Sequence, residues 1–248
     1  MKWRVIKVQE FSAAMNMALD EAIANEISAG NALPTIRFYS WNPSAVSIGY
    51  FQSLNEEVNL DKCKELGFDV VRRRTGAGAV YHDREGEITY SVIGKEELFP
   101  KGITESYVEI CSWIVNSLKE IGIESNFHPI NDIIAGGKKI SGNAQTRRNG
   151  VLQMHGTILY DLDVETMFSV LKVSKEKISD KLIQSVKDRV TRVLDFKNIS
   201  RKELEEALIK GFTKGKEFEF GNYSETELKN AEKLVEEKYG NHEWNFKR

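Results

Sequence analysis

The chain has 248 residues, of which 41% are hydrophobic and 29% charged, the proportions of an ordinary globular protein. Its 35 Lys and Arg against 37 Asp and Glu give a formal charge of −2, which argues against a general binder of nucleic acids or acidic membranes. Two cysteines, Cys63 and Cys111, cannot form a disulfide framework. No apolar run approaches the roughly 18 residues of a membrane span. Because the start resembles no signal peptide, we expect a soluble, cytoplasmic protein.

The first half of the chain alternates strand and helix patterns. Arg4 to Val8 reads as a strand, and Ser12 is a helix N-cap with Gly30 as the stop. Apolar residues at helical spacing fill the stretch between them. The further strands predicted here are 35–41, 45–48, 68–72 and 88–93, and the further helices are 59–66 and 104–121.

The second half begins with short strands and ends with amphipathic helices. Gly136-Gly137 and Asn149-Gly150 are hairpin signals. The predicted strands are 123–127, 132–135, 139–141 and 151–159, and the predicted helices are 164–171, 177–193, 201–212 and 224–239. No repeat or linker divides the chain. We therefore predict a single α+β domain over residues 1–248, with a mixed β-sheet and flanking helices.

One segment, Arg72 to Asp83, joins three arginines to a run of small residues. Gly76 and Gly78 can adopt a positive φ and let backbone N–H groups approach an anion, for which arginine supplies forked donors. This pattern favours an anion-binding loop. The residues alone equally allow a basic hairpin turn whose arginines are solvated.

A second segment places charge around a Gly-Gly turn. Asp132 and Lys139 lie on either side of Gly136-Gly137, so paired strands would bring the carboxylate and the ammonium to one place. A lysine held there suits the stabilisation of developing phosphate charge. Ordinary exposed lysines on a surface hairpin are the alternative.

His155 lies in a third segment, within an apolar predicted strand. A histidine in such a strand is more often a hydrogen-bonded core residue than a catalytic base. The nucleotide-binding G-x-x-x-x-G-K-[ST] motif, H-E-x-x-H, paired C-x-x-C and G-x-S-x-G are all missing, so a P-loop, a zinc site and a serine-hydrolase elbow are not predicted.

Together the three segments carry a resemblance to the lipoate–protein ligases of the biotin/lipoate ligase superfamily. The run 72–83 resembles their lipoate-binding loop. Asn131-Asp132-Ile133 with 138–142 resembles the segment shared with biotin–protein ligases, and His155-Gly156-Thr157 matches a third motif. The resemblance extends from Met15 to Asn245, almost the whole chain.

The resemblance implies a two-step reaction: lipoate (or octanoate) and ATP form an acyl-adenylate, and the acyl group passes to a lysine of a carrier domain. It implies that Lys139 is catalytic and that Mg²⁺ accompanies ATP, with Asp132 near the metal. The lipoyl- and adenylate-binding residues it implies are Arg72, Arg74, Thr75, Gly76, Ala77, Gly78, Ala79, Tyr81, His82, Asp132, Lys139, Ser141, Gly142 and His155.

The sequence departs from the ligase pattern in the loop and in the next strand. Ala77 replaces a glycine of the usual Thr-Gly-Gly-Gly loop, which is tolerable at negative φ and strained at positive φ. Glu87 to Ser91 and Gly142 to Arg147 resemble the octanoyl-carrier-protein:protein octanoyltransferases of the same superfamily. Those transferases depend on a nucleophilic cysteine just before the Lys139 segment, and this chain has none there. Because the pattern predicts Cys111 in the core and Cys63 on a helix surface, we favour the ligase and keep the transferase as the alternative.

The resemblance also bears on partners. The acceptors it implies are lipoyl domains of 2-oxoacid dehydrogenase E2 subunits or the glycine-cleavage H protein. The chain ends at Arg248, soon after Trp244, which resembles split archaeal ligases with a separate accessory subunit. We expect such a subunit, and neither nucleic-acid nor membrane partners. A biotin ligase fits less well because its Gly-Arg-Gly pattern is missing, and a non-enzymatic lipoate-binding protein would leave Lys139 dispensable.

Overall fold

The structure is a computed structural model that describes residues 1–172 and 189–248. The α-helices of this part are α1 (Ala13–Ala29), α2 (Leu54–Glu57), α3 (Leu60–Leu66), α4 (Ile103–Glu120), α5 (Val164–Val170), α6 (Arg201–Thr213), α7 (Glu225–Leu234) and α8 (His242–Asn245). The strands are β1 (Lys2–Phe11), β2 (Thr35–Trp41), β3 (Ala45–Ile48), β4 (Asp69–Arg72), β5 (Val80–His82), β6 (Glu87–Lys95), β7 (Ser125–His128), β8 (Asp132–Ala135), β9 (Lys138–Arg148), β10 (Val151–Leu159) and β11 (Glu217–Phe220).

Two sheets organise the described residues. The large sheet has eight strands in the order β11-β1-β2-β6-β10-β9-β8-β7, and the small sheet has three in the order β4-β3-β5. Strand β1 runs parallel to β11 and β2, whereas β6, β10, β9, β8 and β7 follow in antiparallel pairs. The predicted α+β fold with a mixed sheet is confirmed.

The two faces of the large sheet differ in chemistry because side chains alternate along each strand. On one face, Ile36, Phe38, Ile88 and Tyr90 pack in the main hydrophobic core with α4 and α6. The residues between them, such as Arg37, Tyr39, Thr89 and Ser91, point to the opposite face. Helix α1 covers part of that second face. The small sheet lies over another part and leaves a cavity between the two sheets.

Helix α1 is fixed on the second face by a buried ion pair. Asp20 Oδ1 accepts a 2.7 Å hydrogen bond from Arg37 Nη1, and both side chains are fully buried. The other carboxylate oxygen accepts from Ser91 on β6 and from Gln153 on β10. Burial raises the pKa of Asp20, but the Arg37 charge together with His155 and Ser91 brings this pKa below its usual value. One carboxylate therefore joins α1 to three neighbouring strands.

The predicted elements agree with the described structure except at a few places. Strand β11 and the short helix α2 were not predicted, and β9 extends well beyond the predicted 139–141. The predicted helix 224–239 is α7 followed by a π-helical turn at 235–239. The prediction of a helix over 177–193 lies largely outside the described residues; within its described end, Val190 pairs with Lys139 in a β-bridge. Cys63 is buried, so its prediction as a surface residue is wrong: its side of α3 packs under β3 and β5.

Among the helices of the described ranges, none combines the length and the apolar character needed to cross a membrane.

Replacing Asp20 by alanine should lower the free energy of unfolding by about 3–5 kcal/mol, because it leaves the Arg37 charge buried and unpaired. Urea denaturation at neutral pH measures the change. Glu65→Ala is the matched control, since Glu65 forms an exposed ion pair with Lys62 on α3 and should change stability little. An Asp20→Ala protein as stable as Glu65→Ala would contradict the anchoring role.

Candidate active site

The cavity between the two sheets has a volume of about 480 Å³. Its walls are mostly apolar and come from the large sheet, the small sheet, α5 and the loop before β5. The apolar and aromatic residues that line it are Met17, Tyr39, Trp41, Ala77, Ala79, Val80, Tyr81, Ala144, Leu159, Leu162, Met167, Phe168, Leu171 and Val190. A cavity of this size and character suits a small apolar ligand.

The open end of the cavity carries an ion pair. Lys139 Nζ lies 2.7 Å from Asp132 Oδ1, and their side chains are 39% and 29% exposed. A Cβ on Gly142 would lie 2.8 Å from both Lys139 Cε and Nζ, so the missing side chain is what allows the lysine to lie over β9. The predicted meeting of Asp132 and Lys139 across the Gly-Gly hairpin therefore occurs in the structure.

A row of residues in register runs across the strands from this pair into the protein. Asp132 pairs with Gly142, Gly142 with Thr157, Thr157 with Thr89, and Thr89 with Tyr39. All five line the cavity. Three strand spacings separate Asp132 from Thr89, a distance of about 14 Å. The cavity thus runs across the strands, and its depth is set by how many strands it crosses.

The loop between β4 and β5 covers the cavity. Thr75 Oγ1 is hydrogen-bonded to His155 Nε2 at 2.7 Å, and Arg73 Nη2 donates to the carbonyl oxygens of Gly76 and Gly78, both at 2.6 Å. A Cβ on Gly49 would lie only 2.0 Å from the carbonyl oxygen of Ala77, so the loop can pack here only because Gly49 has no side chain.

The inner, closed end of the cavity contains a connected group of buried polar side chains. Ser47 Oγ is 2.8 Å from His82 Nε2, and His82 Nδ1 is 2.7 Å from Glu87 Oε1. Thr89 donates to the same carboxylate oxygen, and Trp41 Nε1 donates to Thr89. Arg73 Nη1 donates to Ser47 Oγ at 3.1 Å. We call Trp41, Ser47, Arg73, His82, Glu87 and Thr89 the closed-end cluster.

Most of the predicted site residues lie together at this cavity. The predicted residues that line it are Ala77, Gly78, Ala79, Tyr81, His82, Asp132, Lys139, Gly142 and His155. Thr75 and Gly76 lie in the covering loop. Thr75 is hydrogen-bonded to the lining residue His155, and Gly76 to the lining residue Arg73. Ser141 is buried beside Asn143 and is not in the lining. The functional roles given to these residues remain predictions.

Arg72 does not line the cavity. Its guanidinium donates to the backbone carbonyls of residues 49, 50, 52, 244 and 245, which join the small sheet to α8. Arg74 is also buried, with Nη1 3.8 Å from Glu21 Oε1 and with no hydrogen bond at Nε or Nη1. The arginine that reaches the cavity is Arg73, which the prediction left out.

Several further lining residues escaped prediction for lack of a local motif. Ser47, Trp41 and Thr89 come from strands distant in sequence and meet only through the two-sheet arrangement. Their one sequence signal was polarity at alternate positions of otherwise apolar strands, as in Ser47 of β3 and Thr89 of β6. Such alternation shows that one face of the strand is polar, but it does not show which residues of other strands lie against that face.

His155 connects the cavity to the buried ion pair. Burial lowers the pKa of His155 below its usual value, against the raising effect of Asp20. Its Nδ1 lies 3.5 Å from Asp20 Oδ2. The histidine is therefore neutral near pH 7 and serves to hold Thr75 in place.

Neither cysteine is in a position to react with a ligand in the cavity. Cys63 lies under the small sheet and Cys111 in the core on the far face of the large sheet. Burial raises the pKa of Cys63 to about 11 and that of Cys111 to about 12. Both thiols stay protonated at neutral pH, and protonated thiols are poor nucleophiles.

The sequence matches the model of the lipoyl protein ligase A/B catalytic domain over residues 12–213. Among curated proteins, the octanoyltransferase LipM of Brevibacillus brevis is 36% identical over an alignment of 276 residues, gaps included. The alignment covers 100% of this chain and 99% of that protein. The match thus includes the regions on both sides of the catalytic-domain model.

Solved structures of ligases are equally similar. A bi-partite lipoate protein ligase from Thermoplasma acidophilum superposes with a TM-score of 0.91 at 36% identity and covers 99% of this chain and 96% of that one. A lipoate-protein ligase A bound with ATP gives a TM-score of 0.88 at 34% identity, with 99% of each chain covered.

Ala77 has a φ of 68°, which is unfavourable for a residue with a Cβ, so the strained outcome of the sequence prediction applies. Ala77→Gly should raise the free energy of unfolding by up to about 1 kcal/mol, because glycine adopts this φ without strain. Ala79→Gly is the control, because Ala79 has no positive φ and glycine there only adds freedom to the unfolded chain. Thermal denaturation compares the two; equal destabilisation by both would contradict strain at Ala77.

Proposed function

The chain belongs to the lipoyl protein ligase A/B catalytic-domain family, and on this basis we propose that it transfers an eight-carbon acyl group to a lysine of a lipoyl-carrier protein domain. The supporting observation is an apolar cavity that ends at the Lys139–Asp132 pair. An extended eight-carbon chain is about 9 Å long from its C–C bond lengths. It fits within the roughly 14 Å between that pair and the closed-end cluster.

Lys139 would act on the acyl carbonyl at the open end. When the amine of the acceptor lysine attacks, negative charge develops on the carbonyl oxygen and on the leaving group. An ammonium already held in position by Asp132 stabilises that charge without reorganisation. The apolar walls hold the chain and exclude water from the carbonyl, and the partly exposed open end gives the carrier lysine its access.

Two acyl donors are candidates for the proposed transfer. The curated relatives, similar over their full length, are named octanoyltransferases, and their names favour an octanoyl carrier protein as donor over the ATP route expected from sequence. In this reaction the amine displaces the thiol of the carrier directly. We therefore take octanoyl transfer as the first candidate.

Activation of free lipoate or octanoate by ATP is the second candidate, supported by one specific observation. The cavity has no cysteine to form a thioester with the enzyme, since Cys63 and Cys111 are buried elsewhere. An adenylate needs no such thiol: the acid attacks the α-phosphate, pyrophosphate leaves, and the amine later displaces AMP. The ligase structures of similar fold agree with this route.

The residues present suit Mg²⁺ with ATP in one respect. Asp132 is the one carboxylate in the described lining, and Mg²⁺ that arrives with phosphates commonly needs only one or two protein carboxylates. No described group of three or more His, Cys, Asp or Glu could hold a metal by itself. The metal, when bound, would offset phosphate charge.

Only the second candidate, activation by ATP, involves a separate accessory subunit. The similar ligase from T. acidophilum is described as bi-partite and is matched over 96% of its chain. We propose that ATP-dependent activation by this chain requires a second subunit, whereas octanoyl transfer does not. Acyl-adenylate formation by the purified chain alone would contradict that requirement and leave the ligase assignment intact.

The donor is identified by mass spectrometry of a lipoyl-domain acceptor. The acceptor is incubated with the chain and either octanoyl carrier protein, or lipoate or octanoate with ATP and Mg²⁺. An octanoyl mass gain with the carrier alone supports the first candidate, and a gain only with ATP supports the second. With either donor, Lys139→Ala should reduce the rate by roughly 10²- to 10³-fold, since one positioned charge is lost.

Lys138→Ala is the matched control for this experiment. Lys138 is the neighbour of Lys139 on β9 and does not line the cavity, so its replacement should leave the rate nearly unchanged. Full activity of Lys139→Ala would exclude the role proposed for Lys139. An unmodified acceptor with octanoyl carrier protein would exclude the first candidate, since that reaction needs no second subunit.

A cysteine-free variant tests whether catalysis involves a thiol. Cys63→Ser with Cys111→Ala should retain acyl transfer, because both thiols are protonated, buried and outside the cavity. Circular dichroism checks that the double variant is folded. Loss of transfer by a folded double variant would show a thiol-dependent route.

A further inference from the structure

Helix α8 is hydrogen-bonded to both the side chain and the backbone of Arg72, the last residue of β4. Arg72 Nε donates to the carbonyl oxygen of Trp244 at 3.0 Å, and Nη2 donates to that of Asn245 at 2.9 Å. The backbone N–H of Arg72 donates to Asn245 Oδ1 at 2.7 Å, and its carbonyl oxygen accepts from Trp244 Nε1 at 2.8 Å. Arg72 and Asn245 are both buried, so these hydrogen bonds are shielded from water.

The same guanidinium also fixes the turn 49–52, which follows β3. Arg72 Nη1 donates to the carbonyl oxygens of Gly49, Tyr50 and Gln52. A guanidinium is planar and rigid, so the groups that bind its different nitrogen atoms are held in a fixed relative position. Arg72 therefore joins α8 to this turn.

The turn in its place supports the covering loop, residues 73–79. Tyr50 N donates to the carbonyl oxygen of Thr75 at 2.8 Å. Gly49, which has no side chain, leaves room for the carbonyl group of Ala77. The last three residues of the loop line the acyl cavity. A series of contacts thus leads from α8 through the guanidinium and the turn to one wall of the cavity.

The position of α8 depends on its side chains. A helix of four residues is not stable by itself in water. The ring of Trp244 lies 5.8 Å from that of Tyr50 and 5.9 Å from that of Tyr239, measured between centroids. Asn245 Nδ2 donates to the carbonyl oxygen of Tyr239 at 2.9 Å. These two side chains therefore place the groups that bind the guanidinium.

The groups proposed to act on the acyl carbonyl lie outside this series of contacts. Lys139 and Asp132 are held on the β8–β9 hairpin and are paired with each other. A looser covering loop would weaken the binding of the acyl chain, because the loop forms a wall of the cavity. It would leave the charge beside the carbonyl in place.

We propose that Trp244 and Asn245 are positioning residues for acyl binding, which hold the covering loop over the cavity through Arg72 and the turn 49–52. The inference rests on the proposed acyl transfer and deepens it. It assigns part of the affinity for the acyl chain to two residues that do not line the cavity.

Two variants test this role by steady-state kinetics with the acyl donor that the wild type uses. Trp244→Phe removes only the indole N–H and keeps an aromatic ring against Tyr50. Asn245→Ala removes the side-chain hydrogen bonds to Arg72 and Tyr239. In each variant the KM for the donor should rise about three- to tenfold, the effect of one or two lost hydrogen bonds, while kcat stays within about twofold.

Two further variants are the matched comparisons. Asn245→Asp keeps an oxygen that accepts from the Arg72 N–H, so its KM should lie closer to that of the wild type than the KM of Asn245→Ala does. Trp113→Phe makes the same exchange of side chains as Trp244→Phe, but in the main core on the far face of the large sheet. It should lower stability and leave KM unchanged, which separates positioning from stability.

Hydrogen–deuterium exchange measures the covering loop directly. In Trp244→Phe and Asn245→Ala, peptides that contain residues 75–79 should exchange faster than in the wild type. Peptides from α4, which packs on the far face, should exchange at the wild-type rate. A general loss of stability would instead accelerate exchange in both.

The outcomes keep this inference apart from the proposed function. An unmodified acceptor with octanoyl carrier protein counts against the first candidate, and the Kd of free octanoate, which needs no transfer, then takes the place of KM. Unchanged affinity for the acyl chain in folded Trp244→Phe and Asn245→Ala would overturn the positioning role, as would a fall in kcat at constant KM. If Asn245→Ala does not fold, Trp244→Phe carries the comparison.

Discussion

The buried ion pair between Asp20 and Arg37 is the constraint on which the rest of the site depends. A buried charge must be paired and fully hydrogen-bonded, so Asp20 fixes the positions of α1, β2, β6 and β10 together. His155 lies against the same carboxylate and holds Thr75 of the covering loop. Arg73, two residues earlier, then reaches Ser47 at the closed end. The walls of the cavity are thus positioned by one connected polar network.

Much of this architecture could be predicted because it is local. Gly30 and Ser12 delimit α1, and the Gly136-Gly137 turn places Asp132 opposite the Lys139 segment. The choice among the three consecutive arginines could not be predicted. Only Arg72 lies in β4, and Arg73 and Arg74 follow in the loop. The path of that loop depends on contacts with Gly49, Ser47 and His155, which are distant in sequence. In the structure Arg72 satisfies backbone carbonyls, while Arg73 reaches the cavity.

The closed-end cluster was also beyond sequence reasoning, for a related reason. Its members come from β2, β3, β4–β5, β5 and β6, and no two of them form a known motif. The resemblance predicted His82 as part of one wall of a pocket, but it predicted none of the hydrogen-bond partners of this side chain. The surface position predicted for Cys63 failed because the small sheet, which covers α3, was not expected as a separate layer.

The orientation of the cavity has a consequence for chain length. An acyl chain that lies across the strands passes over Gly142, Thr157 and Thr89, one residue for each strand. The spacing of the strands sets the distance available to the chain in steps of nearly 5 Å, and a larger side chain at any of these three positions would shorten it. Thr89, at the last of these steps, belongs to the closed-end cluster. The length of chain that fits therefore depends both on the number of strands crossed and on the size of the side chains that lie on them.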